Sequence, residues 1–293
     1  MSIRKYFQEL KPVAESSILI CGTARNVSRK LDNFLLNADK CFAGFKETQY
    51  LICESFSTDS TWDKLAFLKS QREDFHCIHD DQIDKTELRR TVRIASARNR
   101  LKNYIEKNFD NYDYVVMMDL DGVNRNLTRA NVESCWTQGG WAGATANQPF
   151  RYYDIWALRA TGWCENDCWK EYANLRKNMK HKQALKIAVT SKMKSIRPSG
   201  NPIEVQSAFG GLAIYRIEAF LSSNYIGEDD QGMEICEHVT FHEGLTAKGF
   251  KIFIIPSLVN LNPMTQIWSM LKELILRLIE TCRKISNWAS VPH

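Results

Sequence analysis

The residues best placed to do chemistry are two aspartates. Tyr114-Val115-Val116-Met117-Met118 is an unbroken apolar run, closed by Asp119-Leu120-Asp121-Gly122. In an extended chain residues i and i+2 point the same way, so both carboxylates emerge together where a buried strand meets solvent. Two ionised carboxylates side by side repel unless a cation sits with them. Oxygen ligands of this kind suit a hard divalent ion, Mn2+ or Mg2+, with phosphate oxygens completing its shell. The plainer use of such a pair is to cap the next helix.

A second acid also follows an apolar run. Cys53-Glu54-Ser55-Phe56-Ser57-Thr58-Asp59-Ser60-Thr61 places Glu54 at a strand end, where it could accept hydrogen bonds from a nucleobase N–H or a ribose hydroxyl. Thr58, Asp59 or Ser60 would cap the helix starting near Thr61. A third feature is cationic. Residues 89–102 hold six Lys or Arg and no acid. On a helix Arg89, Arg93 and Arg100 share a face, with Arg90 and Arg98 elsewhere around the axis. Most of these are expected on a solvated face, with one or two reaching a diphosphate or base, which the planar guanidinium fork suits.

The elements that must position these groups are readable from periodicity. Ser17–Cys21, Tyr50–Cys53, Phe75–Ile78 and Tyr114–Met118 are short, nearly all-apolar runs. Val27, Leu31, Phe34, Leu35, Ala38 and Phe42 recur along one helical face, and residues 86–107 are helical again. Apolar strands separated by helices predict an α/β fold whose mostly parallel central sheet is flanked by helices. Ligands of open sheets bind at the carboxyl ends of the strands, where the acids sit. Further strands are expected at Trp141–Ala146, Tyr152–Leu158, Ala208–Tyr215 and Phe250–Ile255. Residues 170–197 carry nine Lys or Arg and one acid, Glu171. They read as a solvated basic loop or helix, or else as a segment closing over an anion.

The chain has 293 residues, 44% apolar and 25% charged, which excludes a disordered, collagen-like or disulfide-stapled protein. Its net charge of +5 permits an anionic partner without demanding nucleic acid, and nucleic acid is not expected as a partner. Nine unpatterned cysteines, no export signal over residues 1–12 and no run of ~18 uncharged apolar residues predict a cytoplasmic protein. A basic amphipathic helix over residues 266–288 suits either packing or peripheral contact with the inner membrane face. The expected organisation is a nucleotide-binding half (1–130), an acceptor and catalytic half (131–262) and a helical tail (263–293).

The order of these features resembles the GT-A fold (Rossmann-like) glycosyltransferases. It is carried by Ile18–Asn26, Glu54-x-x-Ser57-x-Asp59-x-Thr61, Ala97-Arg98-Asn99 and Asp119-x-Asp121. Gly210-Gly211-Leu212-Ala213-Ile214-Tyr215-Arg216 resembles the strand lining the acceptor pocket, and Cys236-Glu237-His238 an acidic helix start. Tyr152–Arg159 looks like a segment of the fungal capsule-associated mannosyltransferases.

The resemblance implies a metal-dependent hexosyltransferase, with mannosyl transfer as one option. Its donor would be a GDP- or UDP-linked nucleotide sugar and its acceptor a glycan or lipid-linked saccharide of surface polysaccharide synthesis. Thr23, Arg25, Asn26, Glu54, Arg93, Arg98, Asp119 and Leu120 would contact the donor. Asp119 and Asp121 would hold the metal, with His238 or His242 as a third ligand, and Asp154, Gly210 and Gly211 would contact the acceptor. Glu237 is the candidate base. His238 stands where many inverting members carry a second acid, which leaves the base and the stereochemistry open. The competing readings are a sugar nucleotidyltransferase, against which only one glycine follows the first strand, and a non-catalytic sugar-binding module, against which the aspartate pair is intact.

Overall fold

Apolar runs become strands, and the patterned stretches between them become helices. The computed structural model describes residues 9–261 apart from Gln82, Asp84, Lys85, Leu88 and Gln138. In chain order the elements are β1 (Ser17–Ala24), α1 (Leu31–Phe42), β2 (Glu47–Glu54), α2 (Thr61–Gln71), β3 (Phe75–His79), α3 (Arg90–Asn108), β4 (Tyr114–Met118) and α4 (Arg129–Glu133). They continue as β5 (Gly143–Asn147), α5 (Cys168–Leu175), α6 (His181–Ala188), β6 (Ile203–Val205), β7 (Leu212–Arg216), α7 (Ile217–Leu221), α8 (Glu237–Thr246) and β8 (Ile252–Val259). The strands form one sheet in the order β3-β2-β1-β4-β7-β5-β8-β6. Neighbours are parallel except where β7 lies between β4 and β5 and where β6 pairs with β8. This is the expected α/β architecture, and strands from both sides of residue 130 share the sheet.

Strand alternation explains the layers. Ile18 and Ile20 of β1 and Val116 of β4 point to the face covered by α1 and α2 through Phe34, Leu35, Ala38 and Leu65. Leu19, Cys21, Val115 and Met117 point to the opposite face, covered by α3 and α8 through Ala97, Leu101, Phe241 and Leu245. Because both faces are covered, these strands carry no polar alternation. Each fully buried aliphatic side chain contributes roughly 1.5–3 kcal/mol.

The same topology locates the site. The chain runs β1-α1-β2-α2-β3 outward on one side, then returns through α3 on the other face to place β4 on the opposite side of β1. Connections therefore diverge between β1 and β4, leaving a crevice at their carboxyl ends. Arg25 follows β1 there, and Asp119 follows β4.

Some expectations change. Tyr152–Leu158 is not a strand. It turns on itself, with Ile155 N–H donating to Tyr153 O at 2.8 Å and Leu158 N–H to Ile155 O at 3.3 Å. Its apolar residues are buried because the turn packs into the core, which mimics strand patterning. The basic stretch 170–197 forms most of α5 and all of α6, with Lys170 paired to Asp229 and Lys192 to Glu171. None of its residues is among those lining the central cleft. The eight cysteines among the described residues are buried and free. Among the described residues no helix is long and apolar enough to cross a membrane. The helix expected over 266–288 lies outside the described residues.

Candidate active site

A cleft of about 480 Å³ opens at the β1/β4 crevice. Thr23, Ala24 and Arg25 line it from β1, Arg90, Arg93, Ala97 and Arg98 from α3, and Asp119, Leu120 and Asp121 from the end of β4. The far wall carries Asp154, Phe209, Glu237 and His238, with Tyr153 and Trp156 beside them. These residues thus converge from six separate segments of the chain on one cavity.

The aspartate turn is fixed from behind. Asp119 N–H donates to Gly211 O at 2.9 Å, extending the β4–β7 pairing by one step. The buried Asn124 amide donates to both Asp119 O and Gly211 O at 2.9 Å. Asn260 Nδ2 in turn donates to Asn124 Oδ1 and Gly210 O at 2.8 Å. Gly211 has φ +88°, and a Cβ there would lie 2.6 Å from Val123, so only glycine lets β7 start this close to the turn. Gly210 N–H donates to Asp154 Oδ2 at 2.9 Å. Gly210 and Gly211 therefore hold Asp119 and Asp154 from the backbone.

Charge is divided along the cleft. At one end Asp119, Asp121, Asp154 and Glu237 surround a single buried guanidinium, Arg98, which is 4% exposed. Arg98 pairs with Glu237 and lies 3.7 Å from Asp119 Oδ1, with the Phe209 and Tyr225 rings packed at 5.2 and 5.5 Å. Asp119 lies deep in the protein, and the accessible part of its side chain opens to the cleft. Burial, then repulsion from Asp121, Asp154 and Glu237 against the pull of Arg98, raises its pKa to about 7. Burial likewise raises that of Asp154.

Four carboxylates facing one guanidinium are short of positive charge, and a divalent cation at Asp119 and Asp121 would supply it. Among the described residues no three His, Cys, Asp or Glu side chains are placed to hold a metal by themselves. A cation here would therefore complete its shell from ligand oxygens, as the two-carboxylate donor set of a phosphate-bound Mg2+ or Mn2+ does.

The other end is cationic. Arg90, Arg93, Ile94, Ala97 and Arg98 occupy i, i+3, i+4, i+7 and i+8 of α3 and form its cleft face. This corrects the face expected from sequence: Arg89 pairs instead with Glu87 and Glu228, and Arg100 with Asp81. Burial, and then Arg25 nearby, lower the pKa of Arg93 against the opposing pull of Glu87 and Glu234.

Removing Arg98 would leave Glu237 buried without its counter-charge. Arg98→Met should cost about 3–5 kcal/mol of stability, because a buried carboxylate left alone is far costlier than the pair. Adding Glu237→Gln should recover most of the loss in urea denaturation. A double variant no more stable than Arg98→Met would refute the pairing as the cause.

Other expected donor contacts serve the scaffold. Glu54 is 2% exposed and off the cleft; its carboxylate accepts from Ser57 N–H and pairs with His79 Nδ1 at 2.8 Å. Asn26, at φ 55°, ties the β1 and β2 loops together by accepting from Thr58 N–H at 2.8 Å. His242 is fully buried, with Nδ1 2.9 Å from Ser207 Oγ and Nε2 2.8 Å from Tyr215 Oη. Both of its nitrogens are occupied, so it has none to give a metal. Arg90, Tyr153, Trp156 and Phe209 join the cleft without having been singled out. The flanking positions of Asp154 and Gly210 were the available signal for the three aromatics.

No family model matches the chain, and no curated protein matches it. Among solved structures it is similar to a mannosyltransferase from Pyrobaculum calidifontis in complex with GDP-Man and Mn2+. That match has a TM-score of 0.45 and 13% identity, covering 88% of this chain and 61% of that one. It is also similar to glucosyl-3-phosphoglycerate synthase from Mycobacterium tuberculosis. The complex with phosphoglyceric acid has a TM-score of 0.43 and 14% identity, covering 91% of this chain and 80% of that one. The complex with Mn2+, UDP-glucose and glycerol 3-phosphate has a TM-score of 0.41 and 14% identity, covering 96% and 84%. The chain spans about three fifths of the length of the first of these.

Proposed function

We propose that this protein is a metal-dependent glycosyltransferase. It would move a sugar from a GDP- or UDP-linked donor to a glycan or lipid-linked saccharide. The observation that carries the reading is a single cleft at the β1/β4 crevice lined by two groups of charge, Arg25, Arg90 and Arg93 near one another and Asp119, Asp121, Asp154 and Glu237 near one another. A nucleoside diphosphate sugar is anionic in its middle and neutral and hydroxyl-rich at its sugar. Arg25, Arg90 and Arg93 would neutralise the diphosphate. Asp119 and Asp121 would hold Mn2+ or Mg2+, which supplies further charge compensation to the departing nucleotide. The sugar would then lie toward Asp154, Glu237 and His238, with Trp156 and Tyr153 offering rings to its C–H faces.

Transfer with inversion needs a carboxylate that accepts the acceptor's hydroxyl proton. Glu237 is engaged by Arg98, so its carboxylate is already committed to an ion pair. Asp154 is the second candidate and the better disposed. Its carboxylate accepts backbone hydrogen bonds from Gly210 and Ala157, which lower its proton affinity, but burial outweighs them and raises it.

A thermal-shift panel tests the reading. UDP- and GDP-sugars with Mn2+ should raise the melting temperature, by roughly 2–4 °C for each 1 kcal/mol of linked binding. The same donors in EDTA should raise it less. No shift with any donor, alongside a clear shift with a nucleoside triphosphate and a sugar phosphate, would favour the nucleotidyltransferase reading instead.

A further inference from the structure

One group in the cleft is left without a role by the steps above. His238 is 3% exposed, and neither of its ring nitrogens has a hydrogen-bond partner within the protein. Its ring is held by stacking: Phe209 lies parallel at 3.7 Å and 23°, and Tyr225 meets it edge-on at 5.7 Å. It lines the cleft next to Glu237.

His242, one turn along α8, shows how this helix treats a structural histidine, for both of its nitrogens are satisfied by Ser207 and Tyr215. Leaving a buried polar group unpaired costs about 1–3 kcal/mol, so an imidazole in the lining of a cleft, with both nitrogens unpaired and closed to solvent, is expected to gain its partner when a ligand enters and the wall adjusts to it. Burial keeps it neutral, by lowering its pKa well below the ordinary value. A neutral imidazole has one donor and one acceptor nitrogen. A sugar hydroxyl matches either nitrogen, since it both donates and accepts.

We propose that His238 is a specificity-determining residue that hydrogen-bonds one hydroxyl of the transferred sugar. This rests on the glycosyltransferase reading. Its place follows from its neighbours: His238 stacks on Phe209 and lies beside Glu237 in the same cleft lining as Asp154.

The test is calorimetric titration of the full chain as wild type, His238→Phe and His238→Gln, all with Mn2+. The probes are UDP, UDP-glucose, GDP, GDP-mannose and the singly deoxygenated forms of each sugar. The wild type should bind one deoxy sugar nucleotide at least about 10-fold more weakly than its parent, the size of a single neutral hydrogen bond. His238→Phe, which keeps the ring stack, should bind the parent weakly and no longer distinguish that deoxy form. His238→Gln should restore part of the discrimination. The free nucleoside diphosphate should bind all three proteins alike. Equal loss of nucleoside diphosphate binding in both variants would overturn the inference in favour of a metal-ligand or purely structural role. So would a wild type that binds a sugar nucleotide yet ignores every deoxygenation, or undiminished discrimination in His238→Phe. Failure of the wild type to bind any of the sugar nucleotides would instead overturn the glycosyltransferase reading, and this inference with it.

Discussion

Asp119→Asn should make the metal-free protein more stable at pH 8 while removing its response to Mn2+ and a nucleotide sugar. The pKa of Asp119 is raised to about 7 by burial and by its carboxylate neighbours. The sign follows from linkage. An acid whose folded pKa lies above its ordinary 3.8 binds protons more tightly folded than unfolded, so stability falls as pH rises between the two values. Without a cation the wild type is therefore penalised progressively from about pH 4 to pH 7 and fully above that.

The side chain is 38% accessible through the cleft, and screening reduces the penalty to ~1 kcal/mol, about 2–4 °C. The amide cannot ionise and escapes it. In EDTA, Asp119→Asn should match the wild type near pH 4 and melt higher at pH 8. With Mn2+ and donor the order should reverse, and transfer should fall by on the order of 10³-fold. An Asp119→Asn protein that still gains stability from Mn2+ and donor would remove this carboxylate from the metal site.

The gain expected from Asp119→Asn says something about how the site is built. The backbone of Asp119 is held in place by Asn124, Asn260 and the Gly210-Gly211 turn, which fixes where its carboxylate leaves the chain. The same fixation that makes ionisation costly pre-forms the ligand geometry. A cation then binds a site already shaped for it, rather than first ordering a loop.

The carboxyl end of β4 was legible because its signal is local: five apolar residues terminated by two acids can be read without knowing any neighbour. The direction of the strands was legible in part, since apolar runs separated by helical patterns imply parallel strands. Local patterning could not supply the amides behind the site, because Asn124 and Asn260 are 136 residues apart and meet only through the fold. Glu54 misled for a related reason. An acid at a strand end looks the same whether it faces a ligand or, as here, closes its own loop onto Ser57 and His79.

The cleft face of α3 was missed by rotation alone. Arg90, Arg93 and Arg98 face the cavity because Ala97 and Leu101 set the buried stripe against β1 and β2, a choice made by the sheet rather than by the charges. His238 was visible as a histidine beside an acid, but only its unpaired nitrogens distinguish it from the fully satisfied His242.

The proton acceptor is a choice between Asp154 and Glu237, and a pair of substitutions decides it. Asp154→Asn should lower turnover by roughly 10²–10⁴-fold, the range of general acid–base contributions, with donor binding nearly intact. Gly210 N–H can still donate to the amide oxygen, so the wall should keep its shape.

Glu237→Gln removes charge from the Arg98 pair but no proton acceptor, if Asp154 is the base. Its main effect should then be on stability and on the position of Arg98, with turnover reduced far less. The pH profile separates the two carboxylates independently of magnitude. Burial sets the proton affinity of Asp154 above the ordinary carboxylate value, so wild-type kcat should rise with pH as that group ionises. The rise should disappear in Asp154→Asn and persist in Glu237→Gln. The opposite pattern, with the acidic limb lost only in Glu237→Gln, would return the role of base to Glu237 and make the Arg98 pair an interaction that must open before transfer.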